Sequence, residues 1–269
     1  MTLLAFNNDA QLKEDLMIEL EKHRDTDAII KNTYGNESEN VFRGCAVGCS
    51  INSYNIVKGL TLDTSKHKNY ELFGIPTLLA KLEDDIFEGL PSTHNIDWPL
   101  NFMSAINVGA DLSTVWPKFA QWLMTDEKYG VLQYARTDLQ KEIIQKVSNL
   151  YKNGGSKEEF RLAANAAYAA ASAASATNAA YAASATDAAY ADYAAYVAYA
   201  AADAADAADV AYAADANAAY ANAAYAAYAN APYYVASSAA KRFEVRIAQS
   251  EYLLKLLKEC KWQDINTQM

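Results

Sequence analysis

Cysteine is scarce in this chain: Cys45, Cys49 and Cys260 are the only three among 269 residues, too few for a disulfide framework. Lysine and arginine are absent from Leu162 to Ala240, which removes any seat for a phosphate inside that stretch. Glycine and proline are absent between Leu162 and Ala231, so no residue there breaks a helix outright. No run of eighteen apolar residues is free of charge, and aspartate recurs through the most alanine-rich segment, so no membrane span is expected. The start MTLLAFNNDA has no basic residue ahead of its short apolar run and predicts no signal peptide. Together these absences predict a soluble, cytoplasmic protein.

What the chain does have is acid and alanine. A net charge of −10 repels nucleic-acid phosphates and anionic membranes and favours cationic or neutral partners. The 52% hydrophobic share overstates the core, because alanine supplies much of it and buries little area per residue. Leu, Ile, Val and Phe concentrate in residues 1–160 and 241–257. The expected organisation is a helical region over 1–153 and an alanine-rich helical region over 154–269, packed as one unit.

Helix punctuation is clear in the first region. NNDAQLKEDLMIELEKH offers Asn8 or Asp9 as an N-cap, then Leu12, Leu16, Met17 and Leu20 at helical spacing. In IPTLLAKLEDDIFEGLP, Pro76 suits a first turn, Leu78, Leu79, Leu82 and Ile86 form the stripe, and Gly89 with Pro91 ends it. TDLQKEIIQKVSNLYKNGG repeats the pattern, with Thr137 or Asp138 as cap, Leu139, Ile143, Val147 and Leu150 as the face, and Gly154 as the stop. WPLNFMSAI and LSTVWPKFAQWLM read as two more short helices, and KYGVLQYA is the best strand candidate. Ser156 and Glu159 are spaced as a capping box.

Beyond the box, Ser, Asn, Asp and Tyr recur every third residue from Ser172 to Tyr199, then from Asp203 to Asp215 after a slip of one. A three-residue step falls about 60° short of a helical turn, so these residues wind around a straight helix and give no fixed apolar face. Several shorter helices folded back on one another fit better, with alanine letting backbones approach and tyrosine filling between them. From Pro232 onward Ala236, Ala239, Phe243, Ile247, Ser250, Leu254 and Leu257 predict an amphipathic helix. That helix docks on a core or pairs with a second copy, making a homo-oligomer. The fold class expected is all-α, a multi-helix array with closely packed Ala/Tyr-rich helices in the C-terminal half.

Three groups of residues are chemically suggestive. Cys45 and Cys49 share a face if helical and could hold a metal or supply a nucleophile with His67 or His94 as base. Zinc prefers tighter pairs and four ligands, so no metal and no catalytic residue is assigned, and buried cysteine as a small hydrophobe is the expected role. Glu83, Asp84, Asp85 and Glu88 could share acid–base work or bind a hard cation, but a solvated helix face is the expected reading. His23, His67 and His94 have no partner at motif spacing. The third group is a tyrosine-lined surface: Tyr190, Tyr193, Tyr196 and Tyr199, with Asp203 and Asp206, could hold a flat ligand by stacking and hydrogen bonds. Arg43, from outside the tract, could supply a positive charge to it. Ice binding is disfavoured by the lack of regular threonine.

The block RGCAVGCSI … YELFGIPTLLAKLEDDIFEGLP … WPLNFMSAINVGADLSTVWPKF, over about residues 43–119, resembles a group of uncharacterised bacterial and phage proteins. The alanine-rich tail with LLKLLKE resembles half of chains labelled as immunity proteins. The resemblance implies a setting of conflict between bacteria, phages and toxins, and no catalytic residues. The function expected is a non-enzymatic binding protein that needs no cofactor. It would sequester or inhibit a nucleotide-like signal or a basic protein of a defence or toxin system. The alternative is an enzyme acting on a nucleotide signal through the Cys45/Cys49 region.

Overall fold

In the computed structural model, Asp9 turns its carboxylate back onto the backbone N–H groups of Gln11 and Leu12, the capping role expected of it. Helix α1 (Ala10–Asp25) follows, with Leu12, Leu16 and Leu20 buried. The structure describes residues 3–38, 41–135, 138–156, 158–163, 165–166 and 239–261. These are mostly helical, and the fold class is all-α. The chain divides by contact into two units, Met1–Trp116 with Gln249–Met269, and Pro117–Ala248. The composition change at residue 154 falls inside the second unit.

In the first unit the central element is α2 (Ala46–Lys58), packed against α1, α3 (Thr77–Gly89) and α5 (Trp98–Ala105). Its sequence accounts for this. AVGCSINSY carries no charge, and Gly48, Ser50 and Ser53 leave room for neighbours to close in. Gly59, at φ +64°, ends the helix in the left-handed conformation that glycine adopts without strain. Helix α3 ends differently from expectation. Gly89 is still helical and Leu90 is the cap, because the ring of Pro91 disfavours helical backbone at the residue before it. The short α4 (Ser92–Asn95) then leads into α5, which carries Pro99 in its first turn.

The one sheet among the described residues is a hairpin, β1 (Asn36–Ser38) against β2 (Val41–Arg43), antiparallel with Asn36 opposite Arg43. Strands of three residues are too short for alternation to register in the sequence. The expected strand at 128–135 is instead a 3-10 turn, Val131–Tyr134. Local side chains satisfy its backbone. Asp126 Oδ1 accepts from the N–H groups of Lys128 and Tyr129, and Gln133 Nε2 donates to the Lys128 and Gly130 carbonyls.

The second unit contains most of α6 (Val115–Thr125), α7 (Asp138–Asn153) and the first half of α8 (Ala239–Glu259). Its apolar core includes Phe119, Leu123, Ile143, Ile144, Val147 and Phe160. Of the expected face of α7, Ile143 and Val147 are buried, whereas Leu139 is exposed and Leu150 half-buried, and Gln140, Ile144 and Ser148 complete the buried side. The capping box is as expected. The Ser156 N–H donates to Glu159 Oε2 at 2.8 Å, and the Glu159 N–H reaches Ser156 Oγ at 3.3 Å. Helix α8 buries Val245, Gln249, Leu253, Leu256 and Leu257, while Phe243 is exposed. Of the expected stripe Ser250 and Leu257 are buried, whereas Ile247 and Leu254 are half-buried and give way to their neighbours Arg246 and Leu253.

Candidate functional site

Sequence periodicity places Glu83 at i+4 from Leu79 and i−3 from Ile86, inside the apolar stripe of α3 and not opposite it. The structure follows that geometry. Glu83 is 0% exposed and Asp84 8%, so the acidic run is not the solvated face that its composition suggested. The reason is positional: three consecutive carboxylates, Glu83 to Asp85, span about 200° of a helix, so they cannot all face solvent when α3 is covered by α2, by α5 and by the His67–Phe73 turn.

Each buried carboxylate has acquired specific neighbours. The hydroxyl of Tyr70, itself fully buried, donates to Glu83 Oε2 at 2.6 Å, and Ser50 lies beside the same hydroxyl. Burial pushes the Glu83 carboxyl well above the usual carboxylate range, and the neighbouring Asp84 charge pushes it the same way. Burial likewise raises the Tyr70 phenol, with Glu83 adding to it. Glu88 Oε1 accepts the Asn32 N–H at 2.9 Å, and Lys31 Nζ donates to the carbonyls of Glu88 and Leu90, capping the end of α3.

Asp84 is the hub of the cluster. Its Oδ2 accepts from His67 Nε2 at 3.1 Å, so the histidine left unassigned from sequence has a partner seventeen residues away. Its Oδ1 is buried and closes no hydrogen bond of normal geometry, with the Tyr34 hydroxyl and the Cys45 thiol facing the same carboxylate. Leaving such an acceptor unmatched costs about 1–3 kcal/mol. Tyr34 lies edge-on to the His67 ring, with centroids 5.5 Å apart and planes at 82°. It is 43% exposed, whereas Cys45 beneath it is 1% exposed.

Cys45 and Cys49 are held as thiols. Cys45 is the N-cap of α2, its Sγ accepting the Gly48 N–H at 3.4 Å. Burial, then the adjacent Asp84 charge, raises the Cys45 thiol far above its ordinary value despite that helix N-terminus. Cys49 donates to the Gly44 carbonyl at 3.4 Å, and burial pushes its thiol up to about 12. The backbone of residues 33–35 is laid directly on this turn. Cys45 N–H donates to the Thr33 carbonyl at 2.6 Å, and a Cβ on Gly48 would overlap the Tyr34 carbonyl.

Of the residues expected from sequence to bind a ligand, Arg43 is exposed at the end of β2. Tyr190, Tyr193, Tyr196, Tyr199, Asp203 and Asp206 lie outside the described residues. The residues that the sequence does not single out are Tyr34, Ser50 and Tyr70; His67, considered there as a base for Cys45 or Cys49, pairs with Asp84 instead. The position of Glu83 within an apolar stripe is the sequence signal for its burial. No helix among the described residues is long and apolar enough to cross a membrane. No protein-family model, curated protein or solved structure matches the chain.

Proposed function

We propose that this chain is a non-enzymatic binding protein whose partner is a basic protein, in the setting of bacterial, phage and toxin conflict that the sequence resemblance implies. The observation that carries the reading is the state of Cys45. An enzyme built on this region needs a thiolate, and here the thiol is buried beside a carboxylate that opposes its ionisation. The same carboxylates disfavour a nucleotide-like ligand at this place, because phosphate would face Asp84, Asp85 and Glu88. The net charge of −10 attracts a cationic partner from a distance and speeds its encounter.

The test is purification of the tagged protein from its native cells, followed by mass spectrometry of what accompanies it. The expected result is an intact basic protein whose affinity falls steeply between 50 and 500 mM salt, as screening requires. Its binding should be unchanged by Cys45→Ser. A small molecule converted to product by the wild type and not by Cys45→Ser would replace this reading with the enzyme.

A further inference from the structure

We propose that His23 is an acid-sensitive seat for the β1–β2 hairpin: its neutral ring holds Phe42 in place, and its protonation releases the hairpin from the helices it packs on. The device is independent of which partner the chain binds. His23 lies in the last turn of α1 and is buried, in T-shaped contact with the Phe42 ring at 5.7 Å between centroids and 61° between planes. Phe42 in turn fills space that only glycine leaves open. A Cβ on Gly35 would overlap the Phe42 ring, and one on Gly44 would stand 3.0 Å from it. Gly35 also sits at φ +141°, a backbone that other residues rarely adopt. Two glycines and one histidine therefore make the socket that fixes this hairpin.

Burial holds the His23 imidazole below its ordinary 6.5, against Glu19 one turn back on α1 and the Asn52 side chain of α2, both of which favour the charged form. Glu19 is itself paired with Lys22 at 2.6 Å, which dilutes its pull. Arg24, the other charged neighbour on α1, pairs with Asp25 and Asp97. Arg43, the charged residue of β2, is positive and exposed, so it offers an imidazolium no counter-charge. Once uncovered, the ring titrates at its ordinary value and binds the proton more tightly than when buried. The hairpin is therefore held fully above pH 6.5 and loosens as pH falls from there toward the folded value. It gives way before the helices because less holds it. Strands β1 and β2 pair over three residues each, whereas α1 and α2 run for sixteen and thirteen.

The test is a pH series on the full-length protein from 7.5 to 5.5. Proton NMR of the His23 ring, assigned by through-bond correlation to its backbone, should give a pKa below 6.5. Over the same range hydrogen exchange, corrected for intrinsic rates, reads the bonds that tie the hairpin down. The Gly44 and Cys45 amides, bonded to the Ala28 and Thr33 carbonyls, should lose at least about threefold in protection. Asn101, bonded to Asp97 at the start of α5, should keep its own. In His23→Phe, which keeps a ring against Phe42 and takes up no proton, protection at Gly44 and Cys45 should not change with pH. A His23 pKa at or above 6.5, or level protection at Gly44 and Cys45 in the wild type, overturns the device. Equal loss at Asn101 overturns it too, because that marks global unfolding, and so does the same pH dependence in His23→Phe. The wild-type readouts decide alone if that variant does not fold.

Discussion

Replacing Gly48 by alanine separates local helix preference from tertiary fit. Gly48 lies in the first turn of α2, where Gly→Ala by propensity alone stabilises by up to about 1 kcal/mol. The added Cβ, however, would stand 2.8 Å from the carbonyl carbon of Tyr34, against about 3.5–4 Å for ordinary carbon contacts. The segment carrying Tyr34 must therefore retreat by roughly 1 Å. That retreat strains or breaks the bond from the buried Cys45 N–H to Thr33, worth about 1–3 kcal/mol when left unmade. Overpacking adds about 1–3 kcal/mol. After the propensity gain the net destabilisation is about 3 kcal/mol, which lowers the melting temperature by roughly 6–12 °C. Urea and thermal unfolding by circular dichroism measure it, and faster Cys45 alkylation reports the lifted segment. Gly59→Ala is the control: at φ +64° with no atom within 4 Å, it should cost only the left-handed penalty of about 1–2 kcal/mol. Gly48→Ala proteins as stable as wild type, or more so, would refute the seating of Tyr34 on α2.

Glu83→Gln should flatten the pH dependence of stability. Burial holds the folded carboxyl above its ordinary 4.5, so its contribution is complete below that pH and is lost as pH rises through the folded value. At pH 8 the glutamine variant should match or exceed wild type in urea midpoint, and a variant that loses stability there would contradict the assignment. Asp9→Ala removes an acceptor from two N–H groups and should cost about 1 kcal/mol, again read by urea unfolding. Native protein should resist iodoacetamide at Cys45 and Cys49 at pH 8 and react at both in urea; quick native labelling of either would contradict their burial.

The helices were legible wherever a cap and a stripe coincide. Asp9, the Ser156–Glu159 box and the run from Thr77 to Ile86 all sit where local physics puts them. Helix registers were less legible. Leu139 and Phe243 are apolar enough to look like core, but burial is decided by the neighbour that covers a face, and the sequence does not print that neighbour. The site was the least legible. His67 and Asp84 are separated by seventeen residues and Tyr34 and Asp84 by fifty, so spacing rules that work within one helix could not join them. Composition also misled at Glu83 to Glu88, where acidic character was read as exposure although Leu79 and Ile86 already put Glu83 on the inner side.

Asn107 gives its side-chain amide to the carbonyls of Lys258 and Cys260, at 3.3 and 2.7 Å, across 151 and 153 residues of chain. Both partners belong to the first unit, whose sequence is interrupted by the whole of the second. On the ribosome, Asn107 is therefore made long before the groups that complete it. At ordinary elongation rates the interval is roughly 8–30 s. Throughout that time the surface later covered by Leu253, Leu256 and Leu257 has only solvent or a chaperone against it. The alanine-rich segment is synthesised within this interval, so every copy of the protein must finish that low-complexity stretch before its N-terminal unit can close.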